Sequence, residues 1–317
     1  MMVSLPILMC HYVRPKDKRL SERHNVLDLA LFTSQIGQLT KNYDFVLSDD
    51  LFIDSNKQSG FEKKIWLTFD DGYRDCIDYA LPVLLEKEAR ATFYIPTEAV
   101  YERKLLDVNK IHILLSSGAS PEEIVATSKG YYHEMSLENQ VGKSFDELFN
   151  AYGVENTYND KHTEFLKKIF QKVLPTKIRK VFLDEVFRSL ITRSESSWVD
   201  ELYLNADDVR KLLNDGMEIG SHGHSHEWLE DLTQIEQASD IKTSIELLQS
   251  ECPGLTISSI CYPYGSYNKT TLKVVNNLNI RTGLLNNFES NFAHLDLSHN
   301  SYLELERIDI MFFDQFF

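Results

Sequence analysis

Three short clusters of side chains in this sequence could do chemistry together. Thr68-Phe69-Asp70-Asp71-Gly72 sets two carboxylates side by side, followed by a glycine that lets the backbone turn. Ser221-His222-Gly223-His224-Ser225-His226 places three imidazoles in one short run. Cys261-Tyr262-Pro263-Tyr264-Gly265 joins aromatic rings to a proline and a glycine that stiffen a loop. Alone, an Asp-Asp-Gly triplet is most often an exposed turn, and tyrosines most often pack a core. Clustered imidazoles are harder to dismiss, because neutral His is a common ligand for zinc and its neighbours. His222 and His226 lie four apart and converge if the loop enters a helix. One added carboxylate then completes a three-ligand site with positions left open for water.

Such groups act together only if the fold brings them to one place. Short apolar runs at Leu5 to Cys10, Ile65 to Phe69, Ala91 to Ile95, Met217 to Gly220, Ile257 to Tyr262 and Ile280 to Leu285 read as buried strands. Helical patterns fall between several of them, at Cys76 to Lys87, Asp207 to Leu213 and Thr233 to Gln249. Strand alternating with helix implies a parallel sheet. Asn205 with Asp208 forms the pattern of a capping box, and Gly216 can end that helix. Each chemical cluster then sits at the C-terminal end of a strand, where catalytic groups gather in parallel α/β folds. From about Tyr101 to Val199 helical patterns continue without clear strands. Ser120, Pro121 and Glu123 mark a helix start, and Ile178, Phe182, Val186 and Leu190 form one helical face.

Composition narrows the classes of partner. Forty-three per cent apolar and 11% aromatic residues suit a globular chain, and no apolar run is long enough to span a bilayer. The 48 acidic against 33 basic residues give a formal charge of −15, which repels a phosphate backbone or an anionic lipid surface. Nucleic acid is therefore not the expected partner. Cys10, Cys76, Cys252 and Cys261 contain no Cys-x-x-Cys pair and are too sparse for a disulfide framework, so free thiols are expected. With no secretory pattern in the first residues, this favours a cytoplasmic address.

Thr-Phe-Asp-Asp-Gly, then Ser-His-x-x-x-His after an Ile-Gly strand, then Pro-Tyr-Gly, in that order, resemble the first three motifs of the polysaccharide deacetylases, the fourth carbohydrate esterase family with its NodB-homology domain. Pro6-Ile7-Leu8-Met9-Cys10-His11 resembles the first strand of a subgroup of that family. The resemblance spans roughly residues 5 to 98 and 202 to 310. It implies an α/β fold, a distorted (β/α)7 barrel, here one domain over residues 1–317 interrupted by a helical insertion at about 101–199. It implies Asp70 as general base, Asp71, His222 and His226 as metal ligands, and the backbone N–H of Tyr264 as oxyanion donor. The implied cofactor is a divalent metal, with Zn2+ expected from a His, His, Asp shell and Co2+, Ni2+ or Fe2+ suited to the same ligands. The implied reaction removes an N-acetyl group from an amino sugar or glycan precursor. An O-acetyl esterase, another small-amide hydrolase, or a catalytically inactive glycan-binding relative are the alternatives.

Two positions depart from the family pattern. Many members carry an Arg where this chain has Cys261, which leaves Arg281 and Arg307 as candidates to orient Asp70. The late Leu-x-His, whose His protonates the leaving amine, reads here Leu305-Glu306-Arg307, and Arg cannot act as a general acid near neutral pH. His11, His224 or His294 could substitute, and His11 is favoured because the first strand should end beside the metal loop. The oligomeric state is not encoded in any of these features.

Overall fold

The computed structural model describes residues 5–16, 26–53, 63–157, 159–286 and 302–317, and the remaining residues lie outside the description. The described residues form two compact units, one built from those up to Lys104 and from Val199 onward, the other from Leu105–Trp198.

In the first unit seven strands form one parallel path: β1 (Ile7–Cys10), β2 (Lys64–Phe69), β3 (Thr92–Ile95), β4 (Glu218–Ser221), β5 (Ser259–Cys261), β6 (Thr282–Leu284) and β7 (Ile308–Asp309). Their spatial order is β7-β1-β2-β3-β4-β5-β6. The chain before β7 also pairs with β6, in parallel at Leu284 and Leu305, while β7 pairs with β1 at Leu8 and Ile308. One segment thus links the two edge strands and curls the sheet into a distorted barrel.

Alternation along the strands sorts side chains into two cores. Ile7, Trp66, Tyr94, Cys261, Leu284 and Leu305 form one cluster inside the curl. Leu8, Leu67, Phe69, Phe93, Ile95, Ile219 and Ile260 face outward onto the helices. Each large side chain so withdrawn from water contributes about 1.5–3 kcal/mol. Gly220 serves this packing: a Cβ there would fall against the Tyr94 ring and 2.8 Å from Ser259 Oγ. The same parity turns Thr68, Asp70, His222 and Arg307 inward.

The expected strands and helices are present with small shifts. The run Ile257 to Tyr262 keeps only Ser259–Cys261 as strand, because the polar Ser258 and the proline after Tyr262 limit the ladder. The helix after β2 opens with a π turn, Cys76–Ala80, before Leu81–Glu86. Asn205 and Asp208 form the expected reciprocal cap of the helix Ala206–Asn214, and Gly216 follows it at φ 84°. The helix Leu29–Asn42, capped by Asp28, and the short β7 were not anticipated.

Residues Leu105–Trp198 are helical, with no strand among those described. Ser120 and Glu123 cap the helix Pro121–Glu134 reciprocally. Phe182 and Val186 are buried on the helix Thr176–Leu190. Tyr132, Phe145, Phe165 and Phe182 interlock ring to edge, with Phe170 tilted against Phe182, as this unit's core. Among the described residues no helix is long and apolar enough to cross a membrane. All four cysteines are free and buried.

Candidate active site

Three strand ends deliver the site, and each does so through a turn in the left-handed region. Beyond β2, the Asp70 N–H donates to the Cys10 carbonyl at 3.0 Å, and Asp71 and Gly72 follow at φ 68° and 60°. The Leu204 N–H ties this turn down by donating to the Gly72 carbonyl at 2.9 Å. His226 at φ 54° and Tyr264 at φ 58° adopt the same region. For non-glycine residues that costs about 1–2 kcal/mol each. Strain of this kind persists only where surrounding contacts over-determine the backbone, and it clusters at functional sites.

Asp71, His222 and His226 are buried and brought together, with one ligand atom from each lying within 4.8 Å of the others. Asp71 Oδ1 stands 3.3 Å from His222 Nε2 and 3.2 Å from His226 Nε2. His222 Nδ1 lies 2.8 Å from the Cys261 carbonyl, which can only accept, so Nδ1 carries a hydrogen. In the neutral imidazole Nε2 then aims a lone pair at a carboxylate oxygen. That juxtaposition is favourable only with a positive charge between the two, a proton or a metal ion. The donor set therefore fits a divalent ion, with the Cys261 carbonyl orienting its first imidazole. Burial would raise the Asp71 carboxyl, but the two imidazoles against it outweigh burial and hold the group well below the usual carboxylate range.

The two imidazoles do not converge by entering a helix. The loop between them is clamped instead by Asp240, a buried residue of the helix Gln234–Glu251. Its carboxylate accepts from the N–H groups of His224 and Ser225, both at 2.9 Å, and from the Ser225 hydroxyl at 2.5 Å. Gly223 must be glycine here, since it lies at φ 70° and a Cβ would come 2.8 Å from Asp240 Oδ2. On the other side, the Thr97 and Glu98 N–H groups donate to the Gly223 and His224 carbonyls.

Asp70 is held by Arg307, not by Arg281. Arg307, fully buried, donates from Nη1 to Oδ1 at 2.9 Å and from Nη2 to Oδ2 at 2.7 Å. Its remaining donors reach Thr68 Oγ1 at 3.0 Å, the Leu285 carbonyl at 2.8 Å and Cys261 Sγ at 2.9 Å. Burial would raise the Asp70 carboxyl, but the guanidinium outweighs it and keeps Asp70 below its ordinary value. Arg281 pairs with Asp49 at 3.4 Å and lies over the Phe52 ring.

His11 Nε2 lies 3.9 Å from Asp70 Oδ2, with its side chain 29% exposed. His224 is turned elsewhere, toward Thr97 Oγ1 at 3.0 Å and Glu102 at 3.3 Å. His294 lies outside the described residues. The Tyr264 ring is not a free wall: Trp228 stacks on it at 4.5 Å and 4°, and His226 meets it at 4.7 Å. Sequence reasoning missed Asp240 and Trp228. Trp228 carried one signal, its place two residues after His226, whereas Asp240 lies on a helix with nothing in its local pattern to mark it.

The class defined by this fold and site is that of parallel α/β barrels carrying an acid pair and two imidazoles at the C-terminal end of their strands. The polysaccharide deacetylase family model matches residues 57–127 and 190–283, more than half of the sequence, and the chain belongs to that family. Among solved structures it is similar to the deacetylase PplD of Streptococcus pyogenes, determined in complex with acetate. The two share 18% identity over 98% of this chain and 93% of that one, with a TM-score of 0.61. IcaB from Ammonifex degensii shares 13% identity over 97% and 91%, with a TM-score of 0.56. A de-N-acetylase from Aggregatibacter actinomycetemcomitans shares 14% over 99% of both chains, with a TM-score of 0.54. At such identities the likeness concerns the fold. No curated protein matches the sequence.

Proposed function

We propose that this chain is a metal-dependent hydrolase that removes an N-acetyl group from an amino sugar or glycan precursor. The observation that carries the reading is the convergence of Asp71, His222 and His226 beside a second carboxylate, Asp70, that has its own cation. Asp71, His222 and His226 hold the ion, with zinc the first expectation and Co2+, Ni2+ or Fe2+ compatible with the ligands. A divalent ion bound there supplies a Lewis acid and brings the pKa of water toward about 7. Asp70, ionised and fixed by Arg307, takes the proton as water attacks the acetamide carbon. The Tyr264 backbone N–H donates to the oxyanion that develops. His11, next to Asp70 Oδ2 and partly open to solvent, gives the leaving amine its proton.

Residues from about 101 to 199 are read as a helical insertion that interrupts a single deacetylase domain. The four free thiols are compatible with a reducing compartment, and on this reading a cytoplasmic glycan precursor is the favoured substrate.

The test is acetate release from N-acetylated sugars, nucleotide sugars and O-acetylated esters, using metal-reconstituted protein, Asp70→Asn and a chelated control. Release from amides that disappears in both controls supports the reading. Release from esters alone makes the protein an O-acetyl esterase, and silence without bound metal makes it a binding relative. His11→Ala should lower turnover by about 10²–10⁴-fold while metal content holds. Turnover at the wild-type level would remove His11 from the mechanism.

A further inference from the structure

The chain leaves for the helical unit through residues 97–104 and returns through residues 199–204, and both of these ends belong to the first unit. Each end grips one half of the metal site. On the outgoing side the helix Thr97–Tyr101 follows β3, and the Thr97 and Glu98 N–H groups hold the Gly223 and His224 carbonyls at 3.3 and 2.9 Å. Glu102, one residue beyond that helix, stands 3.3 Å from His224 Nε2. On the returning side the Arg74 N–H donates to the Leu202 carbonyl at 2.7 Å, Tyr203 pairs antiparallel with Tyr73, and the Leu204 N–H holds the Gly72 carbonyl. The outgoing end thus carries the loop of His222 and His226, and the returning end carries the turn of Asp71. β3 runs between β2 and β4, so turn and loop meet across a strand that bears neither. The halves touch at Gly72, where a Cβ would come 3.3 Å from Val100 Cγ2 on the outgoing helix. Apolar packing is non-directional, so hydrogen bonds have to set how the halves lie.

Arg103 joins the two ends. Its Nη1 donates to the Leu204 carbonyl at 2.9 Å and its Nη2 to Asp200 Oδ1 at 2.7 Å. Its backbone sits at φ 56°, in the left-handed region that a residue with a side chain enters only at a cost. Such strain persists where surrounding contacts over-determine it. Here the guanidinium is bonded on one side, and on the other the Lys104 ammonium reaches Glu98 and Glu102, both at 2.8 Å. The bond to Asp200 is peripheral, since that side chain is 76% exposed and exposed pairs contribute little. The bond to Leu204 bears on the site, because the N–H of the same residue is the tie to Gly72.

We propose that Arg103 is a positioning residue for the metal site: it clasps the segment that holds the imidazole loop to the segment that holds the Asp71 turn. The ends of the helical unit are then part of the framework that sets the ligands, together with the sheet. The inference rests on the metal reading for its affinity arm only.

The test compares Arg103→Asn, Arg103→Lys and Asp200→Ala with the wild type, each as the whole chain. Asn tolerates the left-handed region, so the first variant removes the guanidinium and leaves the backbone at ease. Titration with Co2+, followed by visible absorption, should show affinity weakened by about tenfold in Arg103→Asn, the low end of what a partner beyond the ligands is worth. Arg103→Lys keeps one donor head for the Leu204 carbonyl and should come within about threefold of the wild type, and Asp200→Ala within about twofold. In the metal-free chain the Leu204 and Arg74 amides should exchange with solvent about tenfold faster in Arg103→Asn, with the amides of β1 unchanged. Unchanged Co2+ affinity in Arg103→Asn overturns the proposal whatever the thermal midpoint does, because a merely structural tie moves the midpoint alone. Equal weakening in Asp200→Ala also overturns it, by placing the effect in the surface pair. A wild-type chain that takes up no Co2+ defeats the metal reading, and the exchange rates then decide the clasp: faster exchange confined to the Leu204 and Arg74 amides upholds it, and equal rates overturn it.

Discussion

Glu218 at the start of β4 and Asp70 beyond the end of β2 both present a carboxylate to the barrel interior, one at each end of the strands. At the N-terminal end Glu218 is partly buried and meets only neutral donors. The Ser48 N–H and hydroxyl donate to it at 3.1 and 2.6 Å, and the Thr92 hydroxyl, itself accepting from Trp66 Nε1, completes the set. With no cation among these contacts, burial pushes its carboxyl up. At the C-terminal end Asp70 has a bidentate guanidinium, and the same burial is overcome. One barrel thus holds one acid toward its neutral form and another firmly ionised. Hydrogen bonds from neutral groups suffice for a carboxylate that ties loops to strands. A carboxylate kept charged in a dry place needs a fixed cation beside it, and Arg307 is that cation for Asp70.

The contrast breaks most visibly at Asp70. Asp70→Asn keeps the shape and removes the charge, so turnover should fall by about 10²–10⁴-fold. Metal content should remain, because Asp71, His222 and His226 are untouched. Metal loss in step with activity, measured by elemental analysis, would mean that Asp70 serves as a ligand and not as a base. A smaller effect is expected at Asp240, whose carboxylate holds the loop between the two imidazoles. Asp240→Asn turns one acceptor into a donor facing backbone N–H groups, and metal affinity should weaken by about 10–100-fold. Titration with Co2+ followed by visible absorption reads this without any substrate. Unchanged affinity would show that the strand ends alone place the ligands.

Much of this architecture was legible because local patterns coincide with what the barrel demands. Ile65 to Phe69 reads as a strand from its apolar run, and being buried on both faces it has no other stable place. The three chemical clusters sit just past strand ends, so the strands located them. Less legible were features fixed by distance in space. Arg281 and Arg307 were equivalent on paper, each beside a short apolar run, and parity separates them: Leu305 and Arg307 are alternate residues, and Leu305 faces inward. Strand β7, two residues long, is too brief to show a period of its own. Asp240 resembles any solvent-facing acid on a helix until the loop of the imidazoles is laid against it. The convergence of His222 and His226 was expected from spacing, but the means, a left-handed turn at His226 clamped by Asp240, has no signature in residue type.

The smallest expected effect sharpens the comparison from its neutral end. Folding raises the Glu218 carboxyl above its unfolded value of about 4.3. Folding therefore favours its protonated form, and that contribution is fully present below the unfolded value and lost as pH rises through the raised one. Asp70, depressed by folding, contributes in the opposite sense: its stabilisation is present above about 3.9 and lost as pH falls through the folded value. Glu218→Gln substitutes a group that does not titrate. Any hydrogen bond the amide makes less well shifts the midpoint equally at every pH. The titration of Glu218 does not, so the midpoint of the variant should gain on the wild type as pH rises from about 4 toward 8. Thermal midpoints of both proteins across that range separate the two contributions. A difference that stays constant with pH would mean that Glu218 is ionised at little cost, and the two ends of the barrel would then handle their carboxylates alike.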